Sequence, residues 1–215
     1  MQAHVNKDIP FFLKKMLVAT RNGGKVREFQ YFLGSAGIEV LGLADLSITK
    51  DFEENGTTFA ENARLKALRY SLEAPLPVLA DDSGLEVAAL DGRPGIYSAR
   101  YAGEGAGDSD RIEKLLWEMR NHPGSREARF VCALALAQNG RLLLEAEGEC
   151  RGLVSEHPRG SNGFGYDPIF LFPELGRTYA ELTEDEKNRY SHRSNATHAL
   201  LGKLGSIGKH KLPST

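Results

Sequence analysis

Two carboxylates in succession, Asp81 and Asp82, follow an apolar run at residues 77–80, and Ser83-Gly84 come next. Adjacent acids at a strand end are costly unless they are solvated, hydrogen-bonded or bound to a cation. In an extended chain their side chains point to opposite sides, so separate jobs are expected. One can face a metal and water while the other holds the loop, and hard carboxylate oxygens suit Mg2+. An Asx-type turn would use the same residues with no ligand at all.

Candidate cations for an anionic ligand stand in two further clusters. Thr20-Arg21-Asn22-Gly23-Gly24-Lys25 lies between an apolar run and a helical pattern. Glycines let backbone amides approach an anion, a helix start offers N–H groups and partial positive charge, and Lys25 adds a full charge. The cluster is not a Walker A loop, which would need Gly where Ala19 stands and Ser or Thr where Val26 stands. Glu53-Glu54-Asn55-Gly56 precedes a helix that carries Asn62 and Lys66. Lys66 lies about 20° from Phe59 on the helical wheel, at the edge of the core-facing stripe. An anion nearby would explain that placement, and so would snorkelling to solvent.

Two clusters have the character of a base reader. In Ser161-Asn162-Gly163-Phe164-Gly165-Tyr166-Asp167-Pro168, Phe164 between glycines can be exposed at a loop tip and stack on a base. Asp167 can accept hydrogen bonds from a ring N–H. Lys187, His192 and Arg193 offer donors for keto oxygens on a purine edge. Each cluster alone is also what an ordinary turn or a solvated charged helix would give.

The elements that must position these residues are legible in outline. Residues 16–20 and 77–80 read as buried strands, and Ile38 to Leu41 as another. A helix starts near Lys25, with Val26, Phe29, Phe32 and Leu33 on one face. A second starts near Thr58, with capping-box spacing to Glu61 and the stripe Phe59, Ala63, Ala67, Tyr70. Ile112, Leu115, Leu116 and Met119 mark a third helix, and residues 194–204 a last one. Residues 128–137 and 142–148 are strand-like and flank Gln138-Asn139-Gly140, a strong hairpin signal. Strands alternating with helices, plus a long hairpin, imply an α/β protein with a mixed sheet. The Gly-rich and acidic clusters fall at its strand ends, where sites in open sheets collect.

Composition sets the bounds. The 215 residues suit one domain or two lobes sharing a core, and a formal charge of −2 argues against duplex nucleic acid as a partner. No run approaches a membrane span. Cys132 and Cys150 lie in apolar stretches without metal-ligand spacing, as buried free thiols of a reducing compartment do. The first 15 residues hold too short an apolar run for a secretory signal. A cytoplasmic protein with no membrane partner is expected.

Taken together and in this order, ATRNGGKVREF, FEENGTTFAENARLKA, ADDSGLEV, PGIYSARYAG, ARFVCALAL, GFGYDPIF, AELTEDEKN and SHR resemble the inosine triphosphate pyrophosphatase family, the XTP/dITP diphosphatases. The resemblance runs from about Met16 to Leu204. It implies an α/β fold whose mixed central sheet has flanking helices and two lobes around a nucleotide-binding cleft, usually as a homodimer. It divides the chain into an extension (1–15), one nucleotide pyrophosphatase domain (16–206) and a tail (207–215). It implies that Thr20, Arg21, Asn22, Gly23, Gly24 and Lys25 hold the triphosphate, with Asn22 and Lys25 central, and that Lys66 neutralises phosphate charge. Glu54 and Asp82 would bind Mg2+ with Glu53 beside them, Asp82 would accept the proton, and Ser83 would touch substrate. Phe164, Gly165, Tyr166, Asp167, Lys187, His192 and Arg193 would recognise the base. Arg21 departs from the pattern, standing where many members have Gly.

The activity so implied is Mg2+-assisted hydrolysis of ITP, dITP or XTP to the monophosphate and pyrophosphate, which clears unusual purines from the nucleotide pool. A Maf-type house-cleaning pyrophosphatase is the alternative within enzymes, and GFGYDPIF with SHR argues against it. A non-enzymatic nucleotide sensor is the alternative outside them, and it would have no need of Glu54 and Asp82.

Overall fold

The computed structural model of the chain describes residues 9–207 except 121 and 123, so residues 1–8 of the expected extension and 208–215 of the expected tail lie outside the described residues. Its first strand, β1 (Lys15–Val18), is buried at Met16, Leu17 and Val18, as a strand covered on both faces must be. It pairs in parallel with β2 (Glu39–Gly42), Lys15 opposite Glu39, and with β3 (Val78–Val87), Leu17 opposite Val78. Parallel neighbours need crossovers, and helices supply them: α1 (Gly23–Gly34) and α2 (Phe59–Tyr70). The α2 stripe Phe59, Ala63, Ala67 and Tyr70 is buried as its spacing predicts. Thr58 caps the helix by accepting from the Glu61 N–H at 3.1 Å. The return half of the capping box goes one residue early, because the Glu61 carboxylate accepts from Thr57 N at 2.8 Å.

The second half of the sheet is antiparallel. β4 (Glu127–Gln138) and β5 (Arg141–Val154) are neighbours joined only by Asn139-Gly140, and so short a link fixes them antiparallel. Both linking residues have positive φ, 50° and 73°, the type I′ geometry that matches strand twist. β5 runs six residues beyond its expected end at 148. β6 (Phe170–Phe172) and β7 (Arg177–Thr178) complete the order β2-β1-β3-β4-β5-β6-β7, with antiparallel pairing from β5 to β7. The helices α3 (Asp108–Arg120), α4 (Glu184–Tyr190) and α5 (His192–Ile207) make up the rest of the regular structure apart from short 3-10 turns. The fold is α/β with a mixed seven-stranded sheet and flanking helices, as expected.

β3 corrects the sequence reading. Residues 77–80 were expected to end in a loop at Asp81, yet the strand continues through Asp81-Asp82-Ser83-Gly84 to Val87. The cause lies at Gly84, where a Cβ would overlap Ser98 Oγ and the Gly95 carbonyl. Glycine here serves a close approach, not a turn.

The chain folds as two compact units. One comprises the chain up to Asp82, residues 133–148 and the chain from Ser194. The other comprises residues 83–132 and 149–193. The second unit has its own core, in which Leu85, Leu115, Phe130, Ile169, Phe170 and Tyr179 are buried together. Phe130 and Phe170 lie 4.6 Å apart at their ring centroids. Cys132 and Cys150 are buried free thiols.

The segment before Met16 is partly built into the first unit. A 3-10 turn at Phe11–Leu13 leads into β1, and Leu13 is 1% exposed while Phe11 is 86% exposed. Deleting buried methyl groups removes transfer energy and leaves a cavity, so Leu13→Ala should cost about 2–5 kcal/mol. Phe11→Ala should stay within about 0.5 kcal/mol, as an exposed change does. Urea unfolding of both variants tests this, and equal effects would show that Leu13 does not belong to the core.

Candidate active site

In the first unit the acids of β3 and the lysines of the two crossover helices meet. Asp81 is buried and forms an ion pair with Lys25, which sits in the first turn of α1. Lys66, in the middle of α2, pairs with Glu54 and donates to the Asp81 carbonyl at 3.2 Å. Asp82, 7% exposed, accepts from Asn62 Nδ2 at 3.0 Å. The side chain of Asn22 caps α1 and accepts from Gly24 N at 2.8 Å and Lys25 N at 3.2 Å. The helix start therefore does not offer these two N–H groups freely, as the sequence had suggested. Thr20 Oγ1 accepts from Asn22 N at 3.2 Å, which tightens the same turn. Arg21 is directed elsewhere, donating to the carbonyls of Thr49 at 2.6 Å and Lys50 at 3.1 Å. Glu53 is exposed.

Burial and charge set the electrostatics. Burial pushes the Asp82 carboxyl up to about 6, and the Glu54 charge pushes the same way against Lys66, the Asn62 hydrogen bond and Lys25. Burial also opposes the Lys66 charge, but Glu54, with Asp82 and Asp81, outweighs it and holds the ammonium pKa above its usual value. Lys66 thus stays charged at neutral pH. Among the described residues no three His, Cys, Asp or Glu side chains are grouped to hold a metal. Glu54 and Asp82 are two carboxylates that repel one another, and Mg2+ takes one or two carboxylates together with phosphates and water. The chemistry of the two carboxylates fits such an ion, with its other positions left to water or to a ligand's oxygens.

The second unit gathers the base-reader candidates. Arg193, 1% exposed, donates to Ser83 Oγ at 2.8 Å. Lys187 is buried and donates to Asp167 Oδ2 at 2.6 Å. The same oxygen accepts from Phe164 N at 3.0 Å. A Cβ on Gly163, whose φ is 78°, would overlap that carboxylate, so glycine is required twice over. Phe164 is half-buried rather than free at a loop tip. Lys187 Nζ stands 4.7 Å and Arg193 Cζ 5.8 Å from its ring centroid. His192 is buried with its ring stacked on Phe130, centroids 4.7 Å apart. Gly165 N donates to Asp108 Oδ2 at 2.7 Å, and Tyr166 OH donates to the Ser98 carbonyl at 3.0 Å.

Two contributors, Ser98 and Asp108, escaped the sequence reading, and a third, Asn62, was named there without a role. Ser98 lies in the quoted run PGIYSARYAG, and its Oγ accepts from Leu85 N at 2.9 Å and donates to the Gly95 carbonyl at 2.6 Å. With its carbonyl accepting from Tyr166 OH as well, it ties β3 to the loop bearing Tyr166. Asp108 opens α3 and had no local signal. Asn62 did have one: a polar side chain one residue before Ala63 in a core-facing stripe.

The sheet order and these paired acids and cations define an α/β protein equipped to hold a strongly anionic ligand. The chain belongs to the Ham1 family, which it matches over residues 16–203. It is 52% identical over 185 residues to a dITP/XTP pyrophosphatase of Geobacillus kaustophilus, covering 86% of this chain and 91% of that protein. It is 47% identical over 189 residues to a dITP/XTP pyrophosphatase of Bacillus subtilis, covering 87% and 96%. A solved HAM1 protein of Coxiella burnetii superposes with a TM-score of 0.79 at 40% identity, covering 92% of this chain and 99% of that one.

The Asp82 environment has a consequence for stability. A carboxyl whose folded pKa is raised from 3.8 to about 6 stabilises the fold fully below 3.8, and that contribution is lost as pH rises through 6. The loss is about 3 kcal/mol at 1.36 kcal/mol per unit. In EDTA, Asp82→Asn should therefore gain stability relative to the wild type on going from acid to neutral pH. Urea unfolding at several pH values measures the difference, and a difference constant with pH would show that Asp82 is not held this way.

Proposed function

We propose that this chain hydrolyses unusual purine nucleoside triphosphates, dITP, XTP and ITP, to the monophosphate and pyrophosphate. The observation that carries the reading is the set of Lys25, Lys66, Glu54 and Asp82, two cations and two carboxylates packed in the first unit. The names of the relatives point the same way. A triphosphate carries about four negative charges that repel a nucleophile, and fixed cations offset that charge where it develops. Lys25 and Lys66 serve this role. Glu54 and Asp82 would hold Mg2+, which supplies further charge neutralisation at the phosphates. Asp82 orients water and takes its proton while the water oxygen attacks the α-phosphorus. The bridging α–β P–O bond breaks and pyrophosphate leaves, so no covalent intermediate forms.

Phe164, Asp167, Lys187, His192 and Arg193 recognise the base, and Ser83 touches the substrate beside Arg193. The reading includes a homodimer, for which the exposed aromatics Tyr97 and Trp117 supply apolar surface, and a cytoplasmic location in keeping with two free thiols. Among the described residues no helix is long and apolar enough to cross a membrane.

Mg2+-dependent release of pyrophosphate from ITP, dITP and XTP is expected in a panel that includes the four standard NTPs. Stepwise release of orthophosphate would overturn attack at the α-phosphorus, and full turnover in EDTA would overturn the metal role.

Arg193→Ala should lower the ratio of kcat/KM for ITP over ATP by about tenfold or more, because a buried fork of donors discriminates by being left unpaired on the wrong base. Kinetics on both nucleotides read this out, and an unchanged ratio in a folded variant would remove Arg193 from base selection.

A further inference from the structure

Asn62 uses both ends of its amide on opposite sides of the acid set. Its side chain leaves α2, and the residue is 1% exposed. Nδ2 donates to Asp82 Oδ2 at 3.0 Å. Oδ1 accepts from the Gly56 N–H at 2.7 Å, two residues after Glu54. The chemistry of the two contacts differs in kind. An ionised carboxylate only accepts, and a backbone N–H only donates. A primary amide of this length meets both demands at once. Asp would set a second acid against Asp82, and Leu would take a hydrogen bond from each of two buried polar groups.

The loop is shaped to keep the contact. A Cβ on Gly56 would stand 2.6 Å from Asn62 Oδ1, too close for both groups to stay in place. The helix holds the third point, because Asn62 N donates to the Thr58 carbonyl at 3.0 Å. One side chain on a regular helix thus joins the strand that carries Asp82 to the loop that carries Glu54. We infer that Asn62 is a positioning residue that sets the separation and orientation of Asp82 and Glu54, and so the affinity of that pair for Mg2+. The inference rests on the assignment of those two carboxylates as the Mg2+ ligands.

The test compares wild type with Asn62→Ala, Asn62→Asp, Gly56→Ala and the double variant Asn62→Ala/Gly56→Ala. Two quantities are read: the Mg2+ concentration for half-maximal turnover of ITP, and the gain in Tm on adding Mg2+ alone. Groups that orient metal ligands are worth about 10- to 100-fold in metal affinity or activity, so each single variant should raise the half-saturating Mg2+ by about that factor. The KM for ITP at saturating Mg2+ should stay within about twofold, and the Mg2+-dependent gain in Tm should shrink. Gly56→Ala acts by displacing Oδ1, so the double variant should be no worse than Asn62→Ala, the non-additivity of a shared contact. A merely structural role lowers Tm in all conditions and leaves the Mg2+ dependence where it was. A folded Asn62→Ala with wild-type half-saturation and wild-type gain in Tm overturns the inference. Where Asn62→Ala does not fold, Asn62→Asp, which keeps its size and the acceptor for Gly56, and Gly56→Ala decide by the same two readings. Asp82→Asn separates the failures: an Mg2+ half-saturation equal to wild type there overturns the metal assignment itself.

Discussion

Two neighbouring carboxylates in the middle of a buried strand impose their demand on everything around them. Taking an ionised group out of water costs several kcal/mol unless charge and hydrogen bonds are returned to it. Asp81 receives the Lys25 ammonium, and Asp82 receives the Asn62 amide together with the field of Lys66. Each partner comes from a crossover helix, not from the strand itself. The parallel arrangement of β1, β2 and β3 is what makes those helices available, because parallel neighbours cannot be joined without them. Lys25 is aimed by the cap at Asn22, and Lys66 by its place at the edge of an apolar stripe. A change that moved either helix by a fraction of a turn would strand a buried acid.

The second unit solves a similar problem with the signs reversed. There the buried ions of note are cations, Arg193 and Lys187. Lys187 is met by Asp167, and both are set against the ring of Phe164. An aromatic face attracts a cation without carrying a charge of its own. Asp167 is pinned by the Phe164 N–H and by the space that Gly163 leaves open. Contacts among residues close in sequence thus hold the Asp167 carboxylate where it meets Lys187. The carboxylate of Asp108 and the carbonyl of Ser98, 57 and 68 residues from their partners Gly165 and Tyr166, fasten the same loop.

Much of this was legible in the sequence where the cause is local. The stripe from Phe59 to Tyr70, the hairpin at Asn139-Gly140 and the cap at Thr58 follow from periodicity and turn chemistry alone. Lys66 announced itself by standing beside a core face. The reading failed where the cause is distant. Ser83-Gly84 looks like a turn until Ser98 and Gly95 are known to press on Gly84, and nothing in the four residues says so. Asn22, which the resemblance makes a phosphate ligand, also caps α1 with its side chain. Asn62 could be seen to be polar in an apolar stripe, but its two partners lie 6 and 20 residues away in opposite directions.

One feature of the first unit bears on what leaves the protein as much as on what enters. Lys25, Lys66 and the N–H groups of Gly24 and Lys25 all have internal acceptors: Asp81, Glu54 and the side chain of Asn22. A ligand arriving there gains only the difference between its own attraction and the one it displaces. For chloride or a singly charged phosphate that difference is small, since a carboxylate offers as much. A polyphosphate with its counter-ion offers more and can outbid several acceptors together. In the proposed reaction each fragment carries less charge than the triphosphate, and the carboxylates would reclaim their lysines. Under the proposed function, the same ion pairs that make the core tolerable would act as a threshold on ligand charge and would favour emptying once the chain of phosphates is cut.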